Sequence, residues 1–277
     1  MKKLTLFFIA FIATLQIQAT HIIGGQITSR CLGGLTQEIT TTLYVDIQGI
    51  PMNNTILVSY ASSTFPWIFF NHINYSTQYS INSTTNAYEF IDTITVPYVD
   101  YYTYSFSTCC RAANVVNINQ VSSPFYIETI ALVDSTCNST PIIPIVQFPY
   151  ATVNIQSIYN LNAYDLDGDS LVYNLVTPLD NNNSPMIGFL TPPVTISNTG
   201  VLTVYSTTMG VYVFCVKVTE YRNGIEIGYL LREMQVTVDM LNGINEINNR
   251  SNSNYKYYDV LGREVRQDYG VLKIEQK

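Results

Sequence analysis

Three carboxylates, Asp165, Asp167 and Asp169, take alternate positions in the run Asn162-Ala163-Tyr164-Asp165-Leu166-Asp167-Gly168-Asp169-Ser170-Leu171-Val172-Tyr173. Like charges this close repel unless a cation sits among them, and hard oxygen donors suit Ca²⁺. The run does not follow the EF-hand pattern, because its glycine is fourth in the loop rather than sixth and Val176 stands where the closing Glu would be. The plainer reading is a solvated turn, since Asp bonds its own backbone and Gly takes positive φ without steric cost. A Ca²⁺ site would need further ligands from elsewhere in the chain, with Glu220 and Asp239 as candidate carboxylates.

A second cluster is aromatic. Phe65-Pro66-Trp67-Ile68-Phe69-Phe70 holds the one Trp, and the tyrosine-rich stretch 98–104 follows. Aromatic faces among Asn and Thr can stack on sugars, which makes a carbohydrate-binding module the alternative function; the same residues also serve as ordinary core packing. Ile22-Ile23-Gly24-Gly25 is like the new N-terminus of trypsin-like proteases. With His21 and His72 as the two histidines and no Gly-x-Ser-x-Gly, however, the chain reads as a non-enzyme.

The cysteines are Cys31, Cys109, Cys110, Cys137 and Cys215, none spaced C-x-x-C. An exported chain would oxidise them, and an odd count leaves one thiol free. Neighbours on a strand point to opposite faces, so Cys109 and Cys110 should find different partners. The expected pairings are Cys31 with Cys109 or Cys110, and Cys137 with Cys215.

These residues need strands to position them. Charged residues are only 12% and hydrophobic ones 47%, with Tyr, Thr, Ile and Val abundant, a composition that favours pleated sheets. Ile39, Thr41, Leu43, Val45 and Ile47 alternate along 36–48, the period of a half-buried strand. Further strands are expected at 55–60, 88–96, 101–107 and 125–133, then at 152–159, 171–176, 194–196, 201–205, 211–219 and 225–238. The 211–219 run is apolar on nearly both faces and belongs mid-sheet. The fold class is therefore all-β: two consecutive Ig-like or cadherin-like β-sandwich domains at 20–134 and 141–239, with 135–140 as linker.

At the N-terminus Lys2 and Lys3 precede an apolar run and a small-residue site at Ala19, so 1–19 reads as a signal peptide too short to span a bilayer. Its removal takes the formal charge from −7 to −9, which argues against a nucleic-acid partner, and no later window is apolar enough for a transmembrane segment. After Asp239 an Asn-rich linker leads into Tyr255–Lys277, which reads as a small β-hairpin tail in 240–277.

His21-Ile22-Ile23-Gly24-Gly25-Gln26-Ile27, Arg30-Cys31-Leu32-Gly33, Leu43-Tyr44-Val45-Asp46, Cys109-Cys110-Arg111, Ala163–Leu171, Val216–Arg222 and Arg232–Gln235 together resemble the N-terminal part of secreted Bacteroidota surface proteins. Those proteins often carry PKD or gliding-motility-associated C-terminal modules. Where relatives tend to read Tyr-Arg-Asp-Cys this chain has Tyr44-Val45-Asp46-Ile47, which would explain the odd cysteine. Ile244-Asn245-Glu246-Ile247 with Tyr258-Asp259-Val260-Leu261-Gly262-Arg263-Glu264-Val265 is similar to the C-terminal sorting domain of type IX secretion cargo. The resemblance implies a secreted, extracellular or outer-membrane-surface protein of structural or adhesive role. Its tail would meet secretion machinery, and its ligand would be a surface glycan or protein. Likeness to cadherin-like domains implies Ca²⁺ at Asp165, Asp167 and Asp169.

Overall fold

The computed structural model describes residues 22–240 apart from 48, 50–51, 66–67, 110, 112–113, 119–123 and 145–148, together with 257–258 and 264–265. The described residues are all-β, in sheets that curl into sandwich layers. The first strand set is β1 (Ile22–Gly33), β2 (Thr36–Asp46), β3 (Thr55–Ser62), β4 (Ile68–Asn82), β5 (Thr85–Thr95), β6 (Asp100–Thr108) and β7 (Phe125–Val133). The second is β8 (Tyr150–Thr152), β9 (Ser157–Asn160), β10 (Ser170–Val176), β11 (Val194–Ile196), β12 (Val201–Val204), β13 (Gly210–Arg222) and β14 (Ile225–Asp239).

The antiparallel order β1-β2-β5-β4-β3-β6-β7-β14 returns to its start, because β14 pairs with β7 through Gly228–Leu230 and with β1 through Arg232–Glu233. Curling removes the two open edges of the first set. Inside lie Ile27, Leu43, Val58, Phe90, Tyr104 and Ile127, all fully buried. Burying a side chain of this kind contributes about 1.5–3 kcal/mol. From β14 the sheet continues to β13 and β10, and a separate sheet β11-β12-β9 covers it over a second cluster that includes Leu202, Phe214, Val216 and Met234. The two strand sets expected as consecutive domains thus keep separate cores and share β14. The described residues contain no helix long and apolar enough to cross a membrane.

Several details depart from the sequence expectation. Strand β2 buries Thr42 and Tyr44 as well as the alternate Ile39, Thr41, Leu43 and Val45, while Ile47 is exposed in a turn. The single strand expected at 152–159 is two, β8 and β9, because Asn154 takes a left-handed φ of 63° between them. Strands β1 and β4 were not anticipated: Gly24-Gly25 and a polar-aromatic mixture hide their period. In β1, Gly25 carries no Cβ where one would lie 2.9 Å from the Thr42 carbonyl oxygen.

Successive residues of β14 point to opposite faces. Arg232, fully buried, donates to the carbonyls of Ile143 (3.2 Å) and Pro144 (3.0 Å), to Gln26 (3.3 Å) and to the Tyr44 hydroxyl (3.2 Å). Glu233 on the other face receives Arg111 in a two-point pair at 2.6 and 2.5 Å. Both ties cross between the strand sets. In the C-terminal unit, Tyr257–Tyr258 (β15) pairs antiparallel with Glu264–Val265 (β16), the hairpin expected there; Leu261-Gly262-Arg263 lies outside the described residues.

Candidate metal centre

The Asp165–Asp169 loop precedes β10 and is closed by one carboxylate. Asp165 Oδ1 accepts the amides of Asp167 (2.9 Å) and Asp169 (3.0 Å), and Gly168 turns the chain at φ 83°. The other oxygen, Oδ2, is buried without a hydrogen-bond partner. Burial raises the Asp165 pKa; the two amides pull it down, and the charges of Asp169 and Asp167 push it up.

Glu220 on β13 reaches the same place. It is fully buried; Oε1 accepts Asn138 Nδ2 at 2.9 Å, and Oε2 has no partner. Burial pushes its pKa up to about 8, with Asn138 and Arg222 opposing and Asp165 and Asp169 adding. Its carboxylate fits because residue 228, opposite it on β14, is glycine: a Cβ there would lie 2.3 Å from Glu220 Oε1. One oxygen each from Asp165, Asp169 and Glu220 lie within 4.8 Å of one another.

Arg222, also on β13, is the guanidinium at this centre. Its Nε and Nη2 hold both oxygens of Asp169 (2.9 and 2.5 Å), Nη2 also donates to Asn138 Oδ1 (2.7 Å), and Nη1 donates to Thr136 (3.0 Å). The hydrogen bonds that Arg222 donates to Asp169 raise the Arg222 pKa. Asp167, expected as the third ligand, turns instead toward the Ser139 amide (2.6 Å), with Arg222 at 3.9 Å. The structure therefore brings Asp165 and Asp169 together with Glu220 and sets Asp167 aside. Asp239 lies at the far end of β14 and caps Met240. Four carboxylates gather here; Arg222 pairs with Asp169 and Asp167, while Asp165 and Glu220 each keep one buried oxygen without a donor. This all-oxygen set fits a hard cation: Asp165, Glu220 and Asp169 would hold Ca²⁺, and Asn138 would brace the Glu220 carboxylate.

The cysteine pairing differs from expectation. Cys31 is bonded to Cys137, with a Cα–Cα distance of 5.3 Å, instead of to Cys109 or Cys110. Residues 137–140 run back along β1, where Thr140 N donates to Ser29 O (2.8 Å) and Cys31 N to Ser139 Oγ (3.2 Å), so proximity to β1 selects Cys137. Among the described residues Cys215, expected to pair with Cys137, is instead a free thiol, buried on β13 opposite Glu233, and burial raises its pKa. Cys109 is disulfide-bonded, and Cys110 lies outside the described residues.

The aromatic cluster opens to solvent at one end of the curled sheet. Phe65, Phe69, Phe70 and Tyr98 are exposed, Phe69 stacks on Tyr60 at 5.1 Å, and Phe65 meets Tyr98 at 5.2 Å. Trp67 lies outside the described residues. Asp100 anchors the loop that bears Phe65: its carboxylate accepts the hydroxyls of Ser62 and Ser63 and the amides of Thr64 and Tyr101.

No protein-family model and no curated protein matches the chain. Among solved structures, the crystal structure of the N-terminal eight Ig domains of Down syndrome cell adhesion molecule, isoform 1.30.30, matches at 9% identity and a TM-score of 0.22. The match covers 79% of this chain and 28% of that one.

Proposed function

We propose that this chain is an exported, non-catalytic protein of the bacterial cell surface, structural or adhesive in role, whose β-sandwich is locked by Ca²⁺. The observation that carries the reading is that Asp165 and Glu220, two of three carboxylates that each bring an oxygen within 4.8 Å of the others, each keep a buried oxygen without a donor, Oδ2 and Oε2. The cation relieves the repulsion among the carboxylates. The residues do the rest: Asp165 closes its loop by accepting two amides, Asn138 aims Glu220, and Gly228 leaves room for it. The Cys31–Cys137 bond supports an oxidising, extracellular setting, where Ca²⁺ modules work at Kd of about 10⁻⁴–10⁻³ M.

At 1 mM Ca²⁺ and a Kd near 10⁻⁴ M, mass action adds about 1.4 kcal/mol and raises Tm by about 3–6 °C over EDTA. Calorimetry showing no rise would sink the cation reading. The antiparallel pairing of Tyr257–Tyr258 with Glu264–Val265 supports a separate sorting appendage. Deleting 248–277 should then leave a folded protein in the periplasm, and surface display of the truncated chain would refute that role. A second reading, carbohydrate recognition, is favoured by the exposed Phe65, Phe69, Phe70 and Tyr98. A glycan array in which Phe70→Ala and Trp67→Ala lose a wild-type signal would support it.

A further inference from the structure

Residues 136–140 form a strap one residue thick between β1 and the acidic centre. On one side Cys137 is bonded to Cys31, Ser139 Oγ receives the Cys31 amide, and Thr140 exchanges hydrogen bonds with Ser29 through its amide and its hydroxyl. On the other side Asn138 contacts both Glu220 and Arg222, Thr136 accepts from Arg222, and the Ser139 amide holds Asp167. Cys137 takes a left-handed φ of 62°, a conformation strained for a non-glycine residue and one that a free strap would leave.

We infer that the Cys31–Cys137 disulfide sets the cation affinity of the Asp165–Asp169–Glu220 centre by holding Asn138 and Ser139 as its wall. The inference rests on the cation reading above and adds its control. With the bond intact, Asn138 aims Glu220 and Ser139 takes the Asp167 charge out of the cluster. With the bond cut, the strap relaxes, Glu220 loses its brace, and the centre loses its geometry. Linkage makes the effect reciprocal: a cation that prefers the pinned strap also protects the disulfide.

The test uses the full chain and Tb³⁺ luminescence, with Ca²⁺ competition, as the binding probe. Oxidised wild type should bind, and Cys31→Ser/Cys137→Ser should bind at least about tenfold more weakly, within the usual range of site-to-site coupling. Asn138→Ala, which leaves the disulfide intact, should weaken binding in the same direction. Because the double variant could fail to fold, the wild type is also reduced by a dithiol. The reductant supplies two electrons and two protons, the Sγ–Sγ bond becomes two thiols, and the dithiol becomes a cyclic disulfide. At a fixed dithiol-to-disulfide ratio, the equilibrium ratio of reduced to oxidised Cys31–Cys137, read by peptide mapping, should be several-fold lower in saturating Ca²⁺ than in EDTA. Absence of Tb³⁺ binding to oxidised wild type overturns the cation reading itself. Binding that is equal with and without the disulfide, or a reduced-to-oxidised ratio that Ca²⁺ does not change, overturns the coupling alone.

Discussion

Asp100 and Asp165 both organise a turn by collecting donors, and they leave opposite balances. Both Asp100 oxygens are occupied, Oδ1 by Ser63 Oγ and the Tyr101 amide and Oδ2 by Ser62 Oγ and the Thr64 amide. Asp165 spends one oxygen on two amides and keeps the other buried and bare, as the neighbouring Glu220 does with Oε2. Burial alone would raise Asp100, but its four donors outweigh it and hold the carboxyl well below the usual range, whereas burial dominates at Asp165 and Glu220. A carboxylate supplied with donors is a finished structural part. A cluster short of donors is completed by a proton or by the cation proposed above, so the count of donors, more than the density of acids, distinguishes the two turns.

The largest effect should come from the disulfide. Its closed loop spans 106 residues, so in the chain-entropy model removing it costs about 4–5 kcal/mol, read as a lower urea midpoint for Cys31→Ser/Cys137→Ser. The loss should fall unevenly, diminishing the Ca²⁺ response and sparing the loop held by Asp100. Gly228→Ala comes next. Its Cβ would lie 2.3 Å from Glu220 Oε1 and 2.4 Å from the Ile130 carbonyl oxygen, and the backbone contact cannot swing away. A loss of about 3 kcal/mol is expected, with the Ca²⁺-dependent Tm shift gone, and unfolding curves matching wild type would refute the cramped pocket.

How much of this was readable beforehand follows from range along the chain. Strand β7 lies at Phe125–Val133 as its apolar run indicated, and β13 sits between β14 and β10 as its two-faced hydrophobicity required. The acidic loop was visible because Asp165, Asp167, Gly168 and Asp169 are neighbours. Nothing local marked Asn138 as the brace of Glu220, or Asp167 as the partner of the Ser139 amide. The same is true of closure through β14, since no local period records that one strand will pair with both β1 and β7. The Cys31–Cys137 pairing was missed for this reason too: it depends on the strap returning along β1, which a linker reading of 135–140 does not anticipate.

Replacing each carboxyl by an amide of the same shape should separate the two centres. Asp100→Asn replaces an acceptor with an amide that must face four donors, and about 1–2 kcal/mol is expected to be lost. Glu220→Gln in EDTA replaces a carboxyl whose pKa, pushed up to about 8, leaves it mostly neutral at pH 7, and keeps the acceptor for Asn138, so stability should hold. Urea midpoints of both variants at pH 7 settle the comparison. A loss at Glu220 as large as that at Asp100 would mean the acidic centre is already satisfied.

The smallest effect is the acid response of Asp100. Its folded pKa lies below the unfolded value of about 3.9, so the folded state binds its proton later than the unfolded chain does. Stability from this group is therefore fully present above pH 5 and declines as pH falls below about 4, because the unfolded state gains protons first. The side chain is partly exposed, which screens the interaction, and a loss of about 1 kcal/mol between pH 5 and pH 3 is expected. Asp100→Asn carries no proton to exchange and should lack this increment. The informative quantity is the wild-type urea midpoint minus that of Asp100→Asn at each pH, since the remaining carboxylates titrate alike in both proteins. That difference should shrink toward pH 3. A constant difference would mean that the four donors hold the loop whether or not Asp100 is charged, and Asp100 would then differ from Asp165 in packing alone.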